Sequence, residues 1–438
     1  MRTTPVFLIG LLITANIYGQ QPLSLETAQA QALANRKDLK VEQLNVQIAE
    51  NEIKKVTSRN LPQLSSDLDV RWNTQLPSNV IPGEAFGVAG SPDRFVQFGT
   101  DWNSSWAFNL NQTLFDPAIN GDKKIAQQQV LLNSFNAKAT EAVIKQQVTE
   151  AYFTVLLWQE RTALSESNLQ RTKDILNTAV DQLQQGTITA YDRQKYQLDF
   201  ANAEAEHAKN ANNLQLSFQD LFYKMGLDTL QSIVLTDSLS ALFVQLKNEL
   251  LDFEKVNRPE LQAQKIQQDI WKLNIRKQKM LYIPKISFYG NYTWQSLSDN
   301  ANFFDSDNWF PFNYIGLNAN IPIFDGLLKA KTKQEYQLRL QSSTFQYEKL
   351  EDDYQQQAHN ALLSAKNAEA DLQYQRQNLE LANQLYQIDT DRLKNGTIKA
   401  NDLATTSYTL RQTQTNYLNA AYNYLVAVVQ FKKAIGSL

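Results

Sequence analysis

Cysteine is absent from the 438 residues of this chain, and histidine and methionine are almost absent. A chain without Cys forms no disulfide, has no thiol nucleophile and carries no acyl chain on an amino-terminal Cys. The remaining candidates for soft-metal ligands are scattered: His207, His359, Met225 and Met280. No Gly-rich phosphate loop is present either. The sequence therefore predicts no catalytic residue, no cofactor and no metal site, and we do not expect an enzyme.

Long apolar runs are also scarce. The run at 6–13 follows Arg2 and precedes Gly19, which predicts a secretory signal peptide over residues 1–19. No later stretch reaches the 18 consecutive apolar residues that indicate a transmembrane helix. Any membrane crossing would therefore be made by β-strands in a closed barrel. The formal net charge of −3 argues against nucleic acid as a partner.

Proline is unevenly distributed. None of the 11 prolines falls in 118–258 or 323–438, whereas most of them cluster in 62–117 and 284–322. Proline breaks helix interiors, so its absence predicts long helices over about 120–185 and 327–395. Helices of ~65 residues would be about 100 Å long. The final helix carries a seven-residue apolar row, typical of coiled-coil packing, at Leu403, Leu410, Tyr417, Tyr424 and Phe431.

The proline-rich segments alternate between polar and apolar residues. This pattern predicts four strands, near 63–74, 100–115, 284–296 and 312–323. In the first three, even positions are apolar and include Trp72, Trp106 and Trp294. A half-buried sheet of a soluble protein is one interpretation, and a membrane barrel is the other. Because four strands are too few to close such a barrel, insertion would require a dimer, trimer or tetramer.

The chain repeats itself. "LQQGTITAYD" at 183–192 returns as "LKNGTIKAND" at 393–402, and "NRKDL" at 35–39 returns as "NRPEL" at 257–261. The first copy is longer by 13 residues between Pro62 and Phe115, and the excess within 76–95 predicts an extracellular loop. We therefore predict two copies of one unit, at 20–226 and 256–438, joined by an equatorial connecting segment at 227–255.

The repeated phrase has the pattern of a turn between two helices. Gly186 and Gly396 would end the long helices in a left-handed conformation. Thr189 and Asp192 fit a capping box that begins the next helix, whereas Lys399 stands where the second copy would need Thr. Each phrase therefore predicts the tip of a helical hairpin, at the end away from the strands.

At this level the sequence resembles the TolC-type outer-membrane efflux proteins. The resemblance is carried by "LSLETAQAQALANRKDL" at 23–39, by the two tip phrases and by "NYLNAAYNYLVAVVQFKKAIG" at 416–436. It implies a mainly α fold with a membrane β-barrel, built from two tandem helix–β-hairpin–helix repeats. The long coiled-coil helices would form a periplasmic tunnel. Four strands per chain would join a shared barrel in a homotrimer.

The resemblance also implies partners and site residues. The exit duct of a tripartite efflux or secretion system would sit in outer-membrane lipid of a Gram-negative bacterium and extend into the periplasm. There it would meet a periplasmic adaptor protein and an inner-membrane transporter. The implied adaptor contacts are Gly186, Thr187, Ile188, Ala190, Gly396, Thr397, Ile398 and Ala400, and the implied aperture residues are Asp402 and Asp192. A periplasmic coiled-coil scaffold without channel activity is the alternative function.

Overall fold

The computed structural model describes residues 21–87, 92–227, 233–239, 241–242, 255–302, 305–395, 397–398 and 400–438. The predicted signal peptide and most of the predicted connecting segment lie outside these residues, as do Gly396 and Lys399. Across the described ranges the chain is mainly helical. None of the helices found there combines the length and the apolarity that a membrane span requires.

The helices follow the proline pattern. Two of them are much longer than the rest: α3 covers Pro117–Gln184 and α6 covers Leu328–Lys394. Proline begins α3 at its first position, where a missing N–H costs nothing. The shorter helices are α1 (Leu25–Asn35), α2 (Lys37–Ser58), α4 (Ala190–Met225), α5 (Pro259–Met280) and α7 (Ala400–Ile435).

The four predicted strands form one antiparallel sheet. Its strands are β2 (Gln63–Trp72), β5 (Trp102–Phe115), β7 (Lys285–Ser298) and β8 (Trp309–Asn320), in the order β2-β5-β7-β8. The chain also forms two small pairs. A parallel pair joins β1 (Gln21–Leu23) to β6 (Ile233–Leu235), and a hairpin within the first-copy excess joins β3 (Ser78–Ile81) to β4 (Arg94–Gln97).

Strand β8 differs from its predicted range of 312–323. It begins earlier and pairs Pro311 with Trp294, which an edge strand tolerates because its outer side needs no partner. It ends before Pro322, which has no N–H to donate to a ladder. Beyond it, Gly326 and Leu327 both take left-handed backbone, with φ of 65° and 68°, before α6 begins.

The described chain divides into two compact units. We call residues 1–44, 134–262 and 347–438 the helical unit, and residues 45–133 and 263–346 the sheet unit. The core of the helical unit contains Tyr152 and Phe153 from α3 and Tyr424 from α7, all nearly inaccessible to solvent. Along the seven-residue row of α7, Leu410, Tyr424 and Phe431 are buried, and the last two belong to hydrophobic clusters.

The repeated "NR" motifs close the helical unit at two equivalent places. Arg36 donates two hydrogen bonds to the carboxylate of Asp38, at 2.9 and 2.5 Å. It donates a third to the carbonyl of Lys224, near the end of α4. Arg258 donates two hydrogen bonds to the carboxylate of Glu260 in the same way, at 3.2 and 2.5 Å. Each motif thereby holds the start of one repeat.

Glycines complete both of these junctions. Gly226 and Gly436 end α4 and α7 with positive φ, and each lies against the backbone of its "NR" motif. A Cβ atom at Gly436 would collide with the carbonyl oxygen of Asn257, whereas one at Gly226 would make tight contacts of 3.2 Å. The backbone N–H of Asn257 also donates to the carbonyl of Ile435, at 2.9 Å. The start of each repeat is therefore packed against the helix that ends that repeat.

The two faces of the large sheet differ in chemistry. Even positions carry an aromatic cluster in which Trp72 stacks on Trp102 at 5.7 Å and Trp106 lies 5.9 Å from Trp294. On the other face, Asn109 donates to Asp67 at 2.7 Å and accepts from Asn291 at 2.8 Å. This polar ladder crosses three strands, so the alternation in the sequence becomes one apolar face and one hydrogen-bonded face.

A partly exposed ion cluster connects the helices of the sheet unit. Asp122, in the first turns of α3, accepts hydrogen bonds from Arg59 at 2.5 Å and from Lys277 of α5. Burial raises the pKa of the Asp122 carboxyl, but the hydrogen bonds from Lys277 and Arg59 outweigh burial, so the net shift is downward. Gly121 leaves room for the stem of Lys277.

Candidate functional site

The first helix–helix turn has the geometry that its sequence predicts. Gly186 has φ of 70°, which confirms the left-handed residue expected after α3. The backbone N–H and the hydroxyl of Thr187 both donate to the carbonyl of Gln182, at 3.0 and 2.9 Å. These bonds satisfy carbonyls that the end of α3 would otherwise leave without a donor.

Asp192 belongs to the capping box of α4, as predicted. Its backbone N–H donates to the Thr189 hydroxyl oxygen at 3.2 Å, and its carboxylate accepts from the Thr189 backbone at 3.1 Å. The Thr189 hydroxyl also donates to that carboxylate, at 2.6 Å. These hydrogen bonds lower the pKa of the Asp192 carboxyl. Asp192 therefore stabilises the first turn of its helix, whatever else it does.

The second turn repeats the first where the structure describes it. The backbone N–H and hydroxyl of Thr397 both donate to the carbonyl of Arg392, at 2.9 Å each. These are the same two bonds that Thr187 makes, 210 residues earlier. Gly396 and Lys399 lie outside the described residues, so only the flanking geometry can be compared. The side chain of Thr397 is exposed.

The second hairpin has an additional tie between its helices. Thr406 of α7 donates its hydroxyl to Asp389 of α6 at 2.5 Å, and Arg392 forms an ion pair with the other oxygen of Asp389 at 3.4 Å. Asp402, one turn before Thr406, is exposed and lies in the first turn of α7. The tie between Asp389 and Thr406 therefore sets where the start of α7 sits against α6.

The turns present small and apolar groups outward. Gly186, Thr187 and Ala190 are exposed, Ile188 is half-buried, and Tyr191 is 75% exposed. In the second turn Thr397 is exposed and Ile398 is half-buried. For Ala400 only the backbone is described, as the first residue of α7. Such a surface has no chemistry for catalysis, but it suits contact with another protein.

The sequence analysis missed three residues near the turns. Tyr191 was overlooked because the repeat has Asn401 at that place, so it did not share the pattern. Asp389 and Thr406 were overlooked because they are 17 residues apart and no spacing rule connects them. The only available signal was that Asp389 and Thr406 lie at equal sequence distances on either side of the second repeated phrase.

A family comparison identifies the class of protein. The model of the outer membrane efflux protein family matches residues 29–227 and again 250–437, most of the chain. The chain therefore belongs to this family, whose members are outer-membrane efflux channels and not enzymes. Its location is the outer membrane, extending into the periplasm.

Individual relatives agree with this assignment. The cobalt-zinc-cadmium resistance protein CzcC of Cupriavidus metallidurans is 29% identical over 182 residues, and this alignment spans 42% of the chain and 41% of CzcC. Among solved structures, CusC matches with a TM-score of 0.71 at 17% identity, covering 94% of this chain and 92% of CusC. The open MtrE channel of Neisseria gonorrhoeae matches with a TM-score of 0.70 at 16% identity, covering 94% and 89%. These two likenesses establish the fold.

Proposed function

We propose that three copies of this chain form the exit duct of a tripartite efflux system. In this arrangement the four-stranded sheets close into one barrel of twelve strands, and the long helices continue as a periplasmic tunnel. An adaptor protein and an inner-membrane transporter meet the helical tips. The observation that carries the proposal is the sheet itself, which has an aromatic face, a polar face and two strands at its edges.

Closure of the sheet follows from the cost of an edge in lipid. Strands β2 and β8 each have a neighbour on one side only in the sheet. Unpaired backbone groups are not tolerated in hydrocarbon, so β8 of one copy must pair with β2 of the next. The aromatic face at even positions of β2, β5 and β7 then contacts lipid, and the ladder around Asn109 faces the lumen.

This arrangement is tested by a matched pair of substitutions. Leu110→Arg and Asn111→Arg place the same charge at adjacent positions on opposite faces of β5. We expect Leu110→Arg to cost about 2–4 kcal/mol near the midplane and to reduce the heat-sensitive oligomer in outer-membrane fractions. Asn111→Arg should assemble normally. Equal tolerance of both substitutions, or equal failure, contradicts the assignment of the faces.

The hairpin β3–β4 is proposed as the extracellular loop. It overlaps the predicted excess of the first copy within 76–95 and follows the end of β2 that is remote from the helices of the sheet unit. Gly87, at its 3₁₀ turn, has open space around it. An epitope inserted after Gly87 should bind antibody on intact cells. Labelling that requires permeabilised cells would place the loop on the other side.

The tips are proposed as the adaptor contact. The small and exposed groups around Gly186 and Thr187, and around Thr397 and Ile398, allow a helical hairpin of the adaptor to approach the backbone closely. Gly396 and Ala400 are included in the proposed contact because they occupy the same positions in the second phrase as Gly186 and Ala190 in the first. Gly186→Trp should block cross-linking to the adaptor while the trimer still forms. Normal cross-linking in that variant would exclude this surface.

The aperture is proposed to lie at Asp402, with Asp192 secondary. Symmetric copies would bring three Asp402 carboxylates around one axis, and such a ring favours cations. Asp192 already caps α4 through its hydrogen bonds with Thr189, so we assign it the secondary role. The purified protein should therefore form cation-preferring channels in planar bilayers. A protein that assembles and inserts but conducts no current would contradict the channel proposal.

The name of CzcC suggests one cargo class, divalent transition-metal ions. The repeat boundaries at 20–226, 227–255 and 256–438 are proposed on the repeated sequence motifs. If the duct serves a metal pump, deletion of its gene should increase sensitivity to cobalt, zinc or cadmium. Unchanged metal sensitivity with increased sensitivity to organic compounds would identify a different cargo.

A further inference from the structure

A small polar cavity of about 80 Å³ lies inside the helical unit, where α3, α4 and α7 meet. Its lining includes Arg161 and Asn168 of α3, Glu206 and Asn210 of α4, and Arg411 of α7. None of these residues belongs to the tips or to the sheet. Two arginines from different helices facing one polar cavity are unusual inside a helical bundle, where apolar contacts are the rule.

Both arginines are held in place by neighbours that do not neutralise their charge. A terminal N–H of Arg161 donates a hydrogen bond to Asn419. The Arg161 guanidinium lies over the ring of Trp158, at 4.7 Å from its centroid. Arg411 lies 5.7 Å from the ring centroid of Tyr408. An aromatic face and an amide fix the direction of a guanidinium group but leave its positive charge uncompensated.

The Nε atoms of these two arginines are buried and have no hydrogen-bond partner among the residues that the structure describes. A buried donor of a charged group without an acceptor is costly, so native proteins almost always provide one. Asn168 supplies a third donor. Its Oδ1 accepts from Arg171 at 2.6 Å, which leaves its NH₂ group for the cavity. The two Nε donors therefore lie beside a cavity whose one lining carboxylate, that of Glu206, receives no hydrogen bond from either of them.

The charge of the cavity is positive. The guanidinium groups of Arg161 and Arg411, with that of Arg171 nearby, are opposed by the carboxylates of Glu206 and Asp199. Glu206 is exposed and marks the side open to solvent. Burial lowers the pKa of Arg161 and of Arg411, and the charge of Arg171 lowers that of Arg411 further. Burial is the largest cause of both shifts, and one monovalent anion would balance the excess positive charge.

We propose that this cavity binds a small monovalent inorganic anion, of the size of a halide or nitrate ion. The anion accepts hydrogen bonds from Arg161 and Arg411 and thereby joins α3 to α7. The volume excludes organic molecules of ordinary size, and the residual charge favours a monoanion over a dianion. This site is independent of the channel function, since it lies within the helices of one copy.

The test uses the purified full-length protein in sodium bromide or in sodium gluconate at equal ionic strength. Gluconate is too large for the cavity, so bromide should raise the thermal unfolding temperature and gluconate should not. Crystals soaked in bromide should show an anomalous peak between the two Nε atoms. The absence of both effects would mean that water alone fills the cavity and would overturn the proposal.

Two variants make the test specific. Arg411→Gln should abolish the bromide response, whereas Arg376→Gln, an exposed control, should preserve it. Glu206→Gln removes the opposing charge and should lower the half-saturating bromide concentration, while Glu204→Gln should not. Because Glu206→Gln removes only an exposed charge, it remains informative even if Arg411→Gln fails to fold. A full bromide response in Arg411→Gln, or no change in Glu206→Gln, contradicts the site.

Discussion

The two copies of the repeated unit have the same backbone geometry at their junctions and different side-chain support. Arg36 and Arg258 each grip an acid two residues later. Arg258 also lies 3.9 Å from the ring of Tyr354 and donates to Gln357, and its side chain is only 10% exposed. The repeat therefore preserves backbone contacts, while the surrounding helices decide how much each contact contributes to stability.

The turns show the same relation. Thr187 and Thr397 make identical hydrogen bonds to the preceding helix. The first copy then caps its next helix with Thr189 and Asp192, whereas the second ties its helices through Asp389 and Thr406. The two tips therefore differ in the contact that would break if they moved. In the first copy it lies within one helix, and in the second it joins two helices.

Removal of the arginines should give the largest difference between the copies. Arg258→Ala leaves Glu260 without its partner at a mostly buried position, and we expect a loss of about 3 kcal/mol in the free energy of unfolding. Arg36→Ala removes a more exposed pair and should cost about 1 kcal/mol. Urea unfolding followed by circular dichroism measures both. Equal losses would show that the extra contacts of Arg258 contribute nothing.

Substitution of the junction glycines should give the next largest effect. Gly436→Ala adds left-handed strain and a clash with the backbone of Asn257, so it should cost well over 1 kcal/mol. Gly226→Ala adds the strain and only a tight contact with the backbone of Asn35 and Arg36, so it should cost less than Gly436→Ala. Gly186→Ala has open space and adds the strain alone, about 1 kcal/mol. The same unfolding measurement ranks them. A larger loss for Gly186→Ala than for Gly436→Ala would contradict the packing described.

The two tip acids should differ in their effect on current. Asp402→Asn should reduce cation preference and weaken block by multivalent cations in planar bilayers, with the oligomer intact. Asp192→Asn should change these properties less, because Thr189 already holds that carboxylate. If Asp402→Asn conducts like the wild type while Asp192→Asn alters selectivity, the aperture belongs to the first tip.

The smallest effect concerns pH at the first tip. The folded pKa of Asp192 is lowered by its hydrogen bonds with Thr189, so its contribution is present above the unfolded pKa. That contribution is lost as the pH falls through the folded pKa. Hydrogen exchange of amides in the first turn of α4 should therefore accelerate, relative to the intrinsic rate, in acid. Thr189→Ala should remove most of this pH dependence.

Sequence patterns predicted the elements well, because proline and glycine act locally. Pro117 and Pro259 begin helices, Gly186 ends one, and the alternation around Trp106 gave the two faces of the sheet. The cluster at Asp122 was not predictable in this way. Its partners Arg59 and Lys277 are 63 and 155 residues away in the sequence, and only the folded chain brings them together.

The same limit applies to the site. Gly186 and Thr189 could be predicted because a capping box and a left-handed turn have sequence signatures. The cavity between Arg161 and Arg411 has none, since its residues come from three helices and no motif connects them. Contacts within one turn join neighbouring residues and can be predicted from sequence motifs. Contacts between helices join distant residues and cannot.

The turn at Gly326 and Leu327 has a consequence for protein engineering. A leucine in left-handed backbone is strained by roughly 1–2 kcal/mol, and among the described residues Leu327 is the one non-glycine residue in that conformation. Its side chain is 57% exposed, so replacement by Gly or Asn would sacrifice little packing. Leu327→Asn is therefore a route to a more heat-resistant protein for crystallisation and bilayer recording, with the tips and both sheet faces unchanged.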